Sequence, residues 1–548
     1  MIFSGFKFQH IWHNIEHHFR GTNQFNYYFF NSFIFLIHSL STAFIRKKPL
    51  NQFNIQAILN IIDFCFLLYL SYQFQKKINS EHLNRIQSLF NDYIEVFVGK
   101  AIIIPSNITT INSFQYHYHC FQKVIFQKKS YLKIINEHAF DHCHFNTIVI
   151  PSSVETISSK VFDSCYSLEK VEFEPHSKLM IIDSYAFHQT IITRIVIPSS
   201  VIQIFEGAFC ECTRLTKIEF EDNSQLQIIG ASAFRSTAFK SIEIPDNVVF
   251  IDINAFEFCR CLKTISFKNS NLQKICESTF ACSGIETLTI PKNVCCLENA
   301  WCYRTFNLND VNISPENEYF QKCDNKMIIG KKNNNKSVLY FAPRNINSIT
   351  IPSFIKHIEE CSFEFCKQLT KVNFEENSQL SIINSDAFSC THLYDFTFPS
   401  SVLIIGNNAF NFCNFLIRVD FPDDSQLESI GCNAFYETPI NRILIPSKVT
   451  RIQKFAFCNC YNLVSVDFKE DSNLKIIGFG AFENSSLNQI IIPPSVFIIK
   501  DCVFSRCYYL QIVEIPENSK LKKISKEMFD ENSPLIVMIP VKFNIKNL

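Results

Sequence analysis

The stretch Ile148-Val149-Ile150-Pro151-Ser152-Ser153-Val154 returns unchanged at residues 195–201. Its proline has counterparts at Pro105, Pro245, Pro291, Pro352, Pro399, Pro446, Pro493 and Pro540, with gaps of 46 or 47 residues, except for one of 61 before Pro352. A period held this long predicts a repeat array, and the long gap marks one insertion of about 14 residues. Each unit divides again, because a phrase ending in Ala-Phe or a close variant recurs. Phe140, Phe162, Phe187, Phe209, Phe234, Phe256 and Phe280 are 22 to 25 residues apart, and Phe363, Phe388, Phe410, Phe435, Phe457, Phe482, Phe504 and Phe529 resume the alternation.

Within a coil, Leu168, Val171 and Phe173 form the pattern L-x-x-V-x-F, repeated by Leu215, Ile218 and Phe220 and by Leu369, Val372 and Phe374. The alternating end of that pattern predicts a short strand. In the other half-unit Ile192, Ile195 and Ile197 lead into Pro198. A proline lacks the N–H that pairing needs, so strand pairing is expected to stop there in every other coil. No coil buries its own apolar face alone; stacked coils share one core and pair their strands in parallel. Roughly 19 coils at about 4.8 Å per paired strand give a length on the order of 90 Å.

The composition fits a packed array. There are 58 Phe but only 11 Gly, which argues against Gly-rich phosphate cradles, and 51 basic residues balance 51 acidic ones. With zero net charge no overall field attracts a phosphate backbone, so nucleic acid is not expected as a partner.

The combination of I-P-x-S-V, I-x-x-x-A-F and C-x-x-L-x-x-V-x-F on a 22 to 25 residue coil resembles the BspA-type leucine-rich repeat proteins, over residues 102–540. The resemblance implies a leucine-rich-repeat horseshoe, a repeat solenoid with short parallel strands on its concave face. It also implies that the insertion, with Pro315, Tyr319, Phe320, Met327 to Ile329 and Val338 to Pro343, is an irregular hairpin-bearing coil. The organisation then reads as an N-terminal region (1–100), repeats (101–310), the insertion coil (311–345), and repeats with a C-terminal cap (346–548). The function the resemblance implies is binding, by a surface or secreted adhesin-like protein.

The 23 cysteines are the first candidates for chemistry. Three residues after the Phe positions stand Cys143, Cys165, Thr190, Cys212, Thr237, Cys259 and Ser283, then Cys366, Thr391, Cys413, Thr438, Cys460, Ser485 and Cys507. Interchange of Cys, Thr and Ser predicts a buried ladder of small hydrogen-bonding side chains, not a disulfide framework. A thiol and its like two coils away stand about 10 Å apart, beyond disulfide reach. His117, His119, Cys120, His138, His142, Cys143 and His144 form a possible metal set. Because Cys143 points inward, His142 and His144 are expected outward and solvated, so no metal or cofactor is assigned.

No G-x-S-x-G, H-E-x-x-H or P-loop pattern occurs, and the chain reads as a non-catalytic binder. Lys170 with Glu172, Lys217 with Glu219, and Arg418 with Asp420 flank an inward Val or Ile, and Lys371 holds the equivalent place. These seven are the candidate binding residues of the concave face, for a protein or glycoprotein ligand.

The first hundred residues lack the repeat. Residues 27–45 are uncharged and precede Arg46-Lys47-Lys48, which admits a membrane anchor. Polar Asn31, His38 and Thr42 dilute that stretch, and Asp63 interrupts the apolar run 55–70, which favours a small mainly helical region. Sequons at Asn107, Asn312, Asn335 and Asn484 suit an exported, surface-associated chain. The abundant thiols suit the alternative, a cytoplasmic interaction scaffold.

Overall fold

The computed structural model describes residues 96–98, 101–267, 271–323, 326–331, 336–521, 525–529 and 536–538. The chain separates into two compact units, 1–91 and 92–548. The readings made for residues 27–45 and 55–70 lie outside the described residues. Among those described, no helix is long and apolar enough to cross a membrane.

The second unit is a parallel β-solenoid of about 18 coils. Most coils contribute a strand of three or four residues, such as Lys170–Phe173, and then one of two, such as Ile181–Ile182. The longer strands alternate exposed and buried side chains, as the period of two demands: in Arg194–Ile197, Ile195 and Ile197 are buried while Arg194 and Val196 face out. Strands Thr147–Ile150, Lys170–Phe173, Arg194–Ile197 and Lys217–Phe220 form one parallel sheet. Its register places Ile148 beside Val171 and Ile195 beside Ile218, so equivalent repeat positions stack. The two-residue strands run in two longer ladders, one of nine strands from Thr110–Ile111 to Cys296–Leu297 and one of ten that starts with three longer strands between Phe320 and Phe341 and ends at Ile498–Ile499.

The repeated heptapeptide is a clamp between coils. The strand stops at Ile150 and again at Ile197, each immediately before proline, and Val154 and Val201 close the turn by donating to the Pro151 and Pro198 carbonyls at 3.1 Å. The first serine's amide donates to a carboxylate of the next coil, Ser152 to Glu174 at 2.9 Å and Ser199 to Glu221 at 2.8 Å. The second serine's hydroxyl donates backwards, Ser153 to the Leu132 carbonyl at 2.8 Å and Ser200 to that of Leu179 at 2.7 Å. Both serines therefore stitch neighbours together, a role beyond turning the chain.

The phenylalanines form a spine. Phe162, Phe187, Phe209 and Phe234 stack with centroids 5.1 to 5.5 Å apart and nearly parallel rings. Beside them the backbone adopts positive φ one residue before the Ala and two places after the Phe, mostly at residues other than glycine, such as Tyr185 (56°) and Gln189 (54°), with Gly207 (59°) and Gly480 (58°) in two coils. This conformation is unfavourable for L-residues, but here it aims alternate amides along the stack. Tyr185, Phe187 and Gln189 donate to the carbonyls of Glu206, Ala208 and Cys210 at 2.8 to 3.0 Å, while Ala186 and His188 close the turn within their own coil.

The insertion breaks the spine. Trp301 lies edge-on to Phe280 and tilted against Phe341, in place of a stacked ring. Strands Phe320–Lys322 and Ile328–Gly330 pair antiparallel, and the second pairs antiparallel with Val338–Phe341, which returns to the parallel ladder beside His357–Ile358. The hydrophobic core divides here into two clusters: Ile328 and Phe341 belong to the first, Met327, Ile329 and Leu339 to the second.

The ladder of small side chains is buried along its length, from Cys143 at 1 % exposed to Cys507 at 3 %. Every described cysteine is a free thiol. Cys212 donates to the Phe187 carbonyl at 3.0 Å and lies 3.2 Å from the Thr190 hydroxyl; Cys259 and Cys413 repeat both contacts with Thr237 and Thr391. Burial pushes the Cys212 thiol up to about 12, so it stays protonated and inert. Substitution Cys212→Ser replaces the thiol donor with a hydroxyl donor and is expected to cost less than about 1 kcal/mol. Cys212→Leu overpacks the coil and is expected to cost about 1 to 3 kcal/mol in chemical denaturation.

Candidate functional site

The outward face of the longer strands carries two columns of side chains, from the first and third strand positions. In the sheet from Thr147–Ile150 to Lys217–Phe220, the first column runs Thr147, Lys170, Arg194, Lys217 and the third Val149, Glu172, Val196, Glu219. Lys170 and Glu172 meet at 2.6 Å and Lys217 and Glu219 at 2.7 Å, as the alternation predicts. Arg194 also reaches across to Glu219, at 2.6 Å, so that carboxylate is held by cations of two coils. Those bonds, first from Lys217 and then from Arg194, hold the Glu219 carboxyl below its usual range. Arg418 and Asp420 pair at 2.8 Å in a second sheet, and Lys371 is exposed in a third.

The seven predicted residues therefore all lie on the outward strand face, distributed over three sheets. Sequence reading missed their companions. Near both ends of the array the third column alternates acid with apolar side chains, and Val149, Val196, Leu444 and Ile491 are all exposed; in the middle coils it carries polar Ser266, Thr289, Asn312 and Thr350. Where the strands begin, Tyr394 and Ile417 are exposed in adjacent coils, and Phe415 packs on His392 with centroids 4.7 Å apart. The signal was present in the second half-unit, whose R-I-V-I and R-I-L-I phrases put their first and third residues outward by the alternation applied to K-V-E-F.

One expectation is corrected. His117, His138 and His142 are half-buried, not solvated, while His144 is exposed. His117 and His138 both contact the Asp141 carboxylate, His138 at 2.7 Å, and the Asp141 side chain is only 3 % exposed. The physical reason is the column one residue past the phenylalanines, which turns in between coils and draws imidazoles onto a buried carboxylate. The same column continues as Asp163, His188, Cys210, Arg235 and Glu257 in successive coils. His188 Nδ1 lies 2.8 Å from the Asp163 carboxylate, and Arg235 Nε lies 2.8 Å from that of Glu257.

Parallel coils, two ladders of paired strands and an outward strand face without a concentrated polar centre define a repeat solenoid of the leucine-rich-repeat class. The chain belongs to the BspA type leucine rich repeat region family, which matches residues 95–216, 203–325, 334–463 and 428–548. No curated protein matches it. Among solved structures it is similar to a leucine-rich repeat protein from Eubacterium ventriosum, with 21 % identity over 61 % of this chain and 84 % of that one, at a TM-score of 0.50. A leucine rich cell surface protein from Faecalibacterium prausnitzii shares 19 % identity over 79 % of this chain and all of its own, at 0.46. A leucine-rich repeat protein from Bacteroides ovatus shares 18 % identity over 82 % of this chain and all of its own, at 0.35.

Proposed function

We propose that the chain is a non-catalytic, surface-associated scaffold whose concave strand face holds a protein or glycoprotein ligand, as an adhesin does. The observation that carries this reading is the composition of that face: ion-paired Lys170, Arg194, Lys217 and Glu219 stand beside exposed Val149 and Val196. Alternating charge and apolar surface over successive coils at both ends of the array suits an extended protein contact, with charges for orientation and apolar side chains for affinity. A repeated pattern offers many similar contacts and no single centre for chemistry. Surface placement draws on the family resemblance and on exposed sequon residues Asn107 and Asn312.

The second reading, a cytoplasmic scaffold, draws on the free thiols, since exposed Cys120, Cys261 and Cys295 are unusual in an oxidising compartment. Protease treatment of intact producing cells decides between them. Surface display predicts loss of the repeats without lysis; repeats that survive until lysis overturn it. For the face itself, Arg194→Glu with Lys217→Glu is expected to weaken ligand capture at least tenfold while leaving the circular dichroism of the repeats unchanged. Unchanged capture rejects this face as the contact.

A further inference from the structure

We infer that His188, Cys210 and Glu211 form a zinc site, with Asp163 as the carboxylate that orients its histidine. The ligand atoms of these three residues lie within 4.8 Å of one another. Imidazole, thiolate and carboxylate on one ion is the donor set that Zn2+ accepts, leaving a fourth position for water or an incoming group. The stacking that builds the solenoid assembles it. His188 and Cys210 hold the same repeat position in adjacent coils, and Glu211 follows Cys210 at a residue with φ of 58°, which turns its side chain back beside theirs.

The surroundings are those of a metal-binding histidine. His188 Nδ1 is committed to Asp163 at 2.8 Å, which leaves Nε2 as the ligand atom. A histidine that ligates through one nitrogen usually gives its other N–H to a carboxylate, and this fixes the ring. The Glu211 carboxylate is itself held, by the Gln189 amide at 2.6 Å. Cys210 is 4 % exposed while His188 and Glu211 are partly exposed, so the thiol is sheltered and an entry path remains. On binding, the thiol and the protonated imidazole's Nε2 each release a proton to solvent as zinc takes the sulfur and the nitrogen, while Nδ1 keeps its proton and goes on donating it to the Asp163 carboxylate.

Two other places in the chain sharpen the assignment. Cys458 occupies the same repeat position as Cys210 and is equally buried, but its neighbours in that column are Tyr436 and Glu483, with no imidazole. At Asp141 the carboxylate oxygens are already engaged by His117 and His138, and no thiolate joins His117, Asp141 and His142.

The full chain, stripped with a chelator, is titrated with Zn2+ against a chromophoric competitor and separately with Co2+. One tight equivalent is expected at this site, with thiolate-to-cobalt charge-transfer absorption. Cys210→Ser removes that absorption and weakens zinc by at least about 100-fold; Asp163→Asn weakens it by about 10- to 100-fold; Cys458→Ser changes neither. Glu211→Gln, at a partly exposed position, gives an independent loss of affinity should Cys210→Ser disturb the coil. The assignment is overturned if no zinc binds below micromolar concentration, or if the charge-transfer band survives in a folded Cys210→Ser. Zinc lost in Asp141→Asn but retained in Cys210→Ser overturns it as well.

Discussion

Replacement of Phe435 by Ala is expected to cost about 3 to 5 kcal/mol and to split the second half of the solenoid into two separately unfolding parts. Phe435 is fully buried and stacked between Phe410 at 5.3 Å and Phe457 at 5.2 Å. Truncation forfeits the transfer energy of the ring and leaves a cavity that the neighbouring coils, held by their backbone ladders, close only in part. In a repeat array each coil is stabilised through its two interfaces, so a lesion in the middle weakens both and reduces the coupling across it. Phe529→Ala, at a partly exposed ring that ends the stack, is expected to cost roughly half as much. Denaturant titration with site-resolved hydrogen exchange separates the cases. A Phe435→Ala chain that unfolds in one transition, at the wild-type midpoint, rules out the spine as the main source of cohesion.

That spine was legible because every coil repeats its environment: a Phe needed in one coil is needed in the next, and the spacing shows it. The Cys, Thr and Ser ladder was legible for the same reason. The paired charges of Lys170 with Glu172 followed from alternation within one strand. Arg194 did not, because its partner Glu219 lies in the next coil and its own phrase reads as a strand leading to a proline stop. The cluster of Asp163, His188 and Cys210 was hidden more deeply. These residues are 22 to 25 positions apart and differ in type, so no local pattern joins them; they meet only because stacking aligns the residue after each phenylalanine. Counting one place on from the Phe register would have found them. The insertion shows the converse, since Arg344 is used once and no repeat announces it, whereas Glu364 holds the place after Phe363 in that same column.

Between pH 4.5 and 7 the solenoid is expected to lose stability as pH rises, and Glu364 is expected to supply much of that loss. Glu364 is 2 % exposed at the junction of the two cores, and burial pushes its carboxyl from 4.5 up to about 7. The Arg304 amide, which donates to it at 2.7 Å, and the nearby Arg344 charge oppose the shift without cancelling it. Arg344 is itself buried, its guanidinium donating to the carbonyls of Ser362 at 2.9 Å and Cys361 at 3.1 Å. In this window the folded chain keeps a proton that the unfolded chain releases, so the Glu364 contribution is full below about pH 4.5, falls through about pH 7 and is flat beyond. A shift of this size corresponds to about 3 kcal/mol across the window. Glu360 and Asp386, also raised by burial, add slope of the same sign. Glu364→Gln keeps the acceptor oxygen and removes the titration. The variant should match wild type near pH 4.5, exceed it by about 2 to 3 kcal/mol at pH 8, and show a shallower profile between. The difference between the two curves isolates this carboxyl from groups that titrate elsewhere, such as His188, which is raised to about 9. Parallel curves would mean that water reaches the junction and the carboxylate ionises there as it does in the unfolded chain.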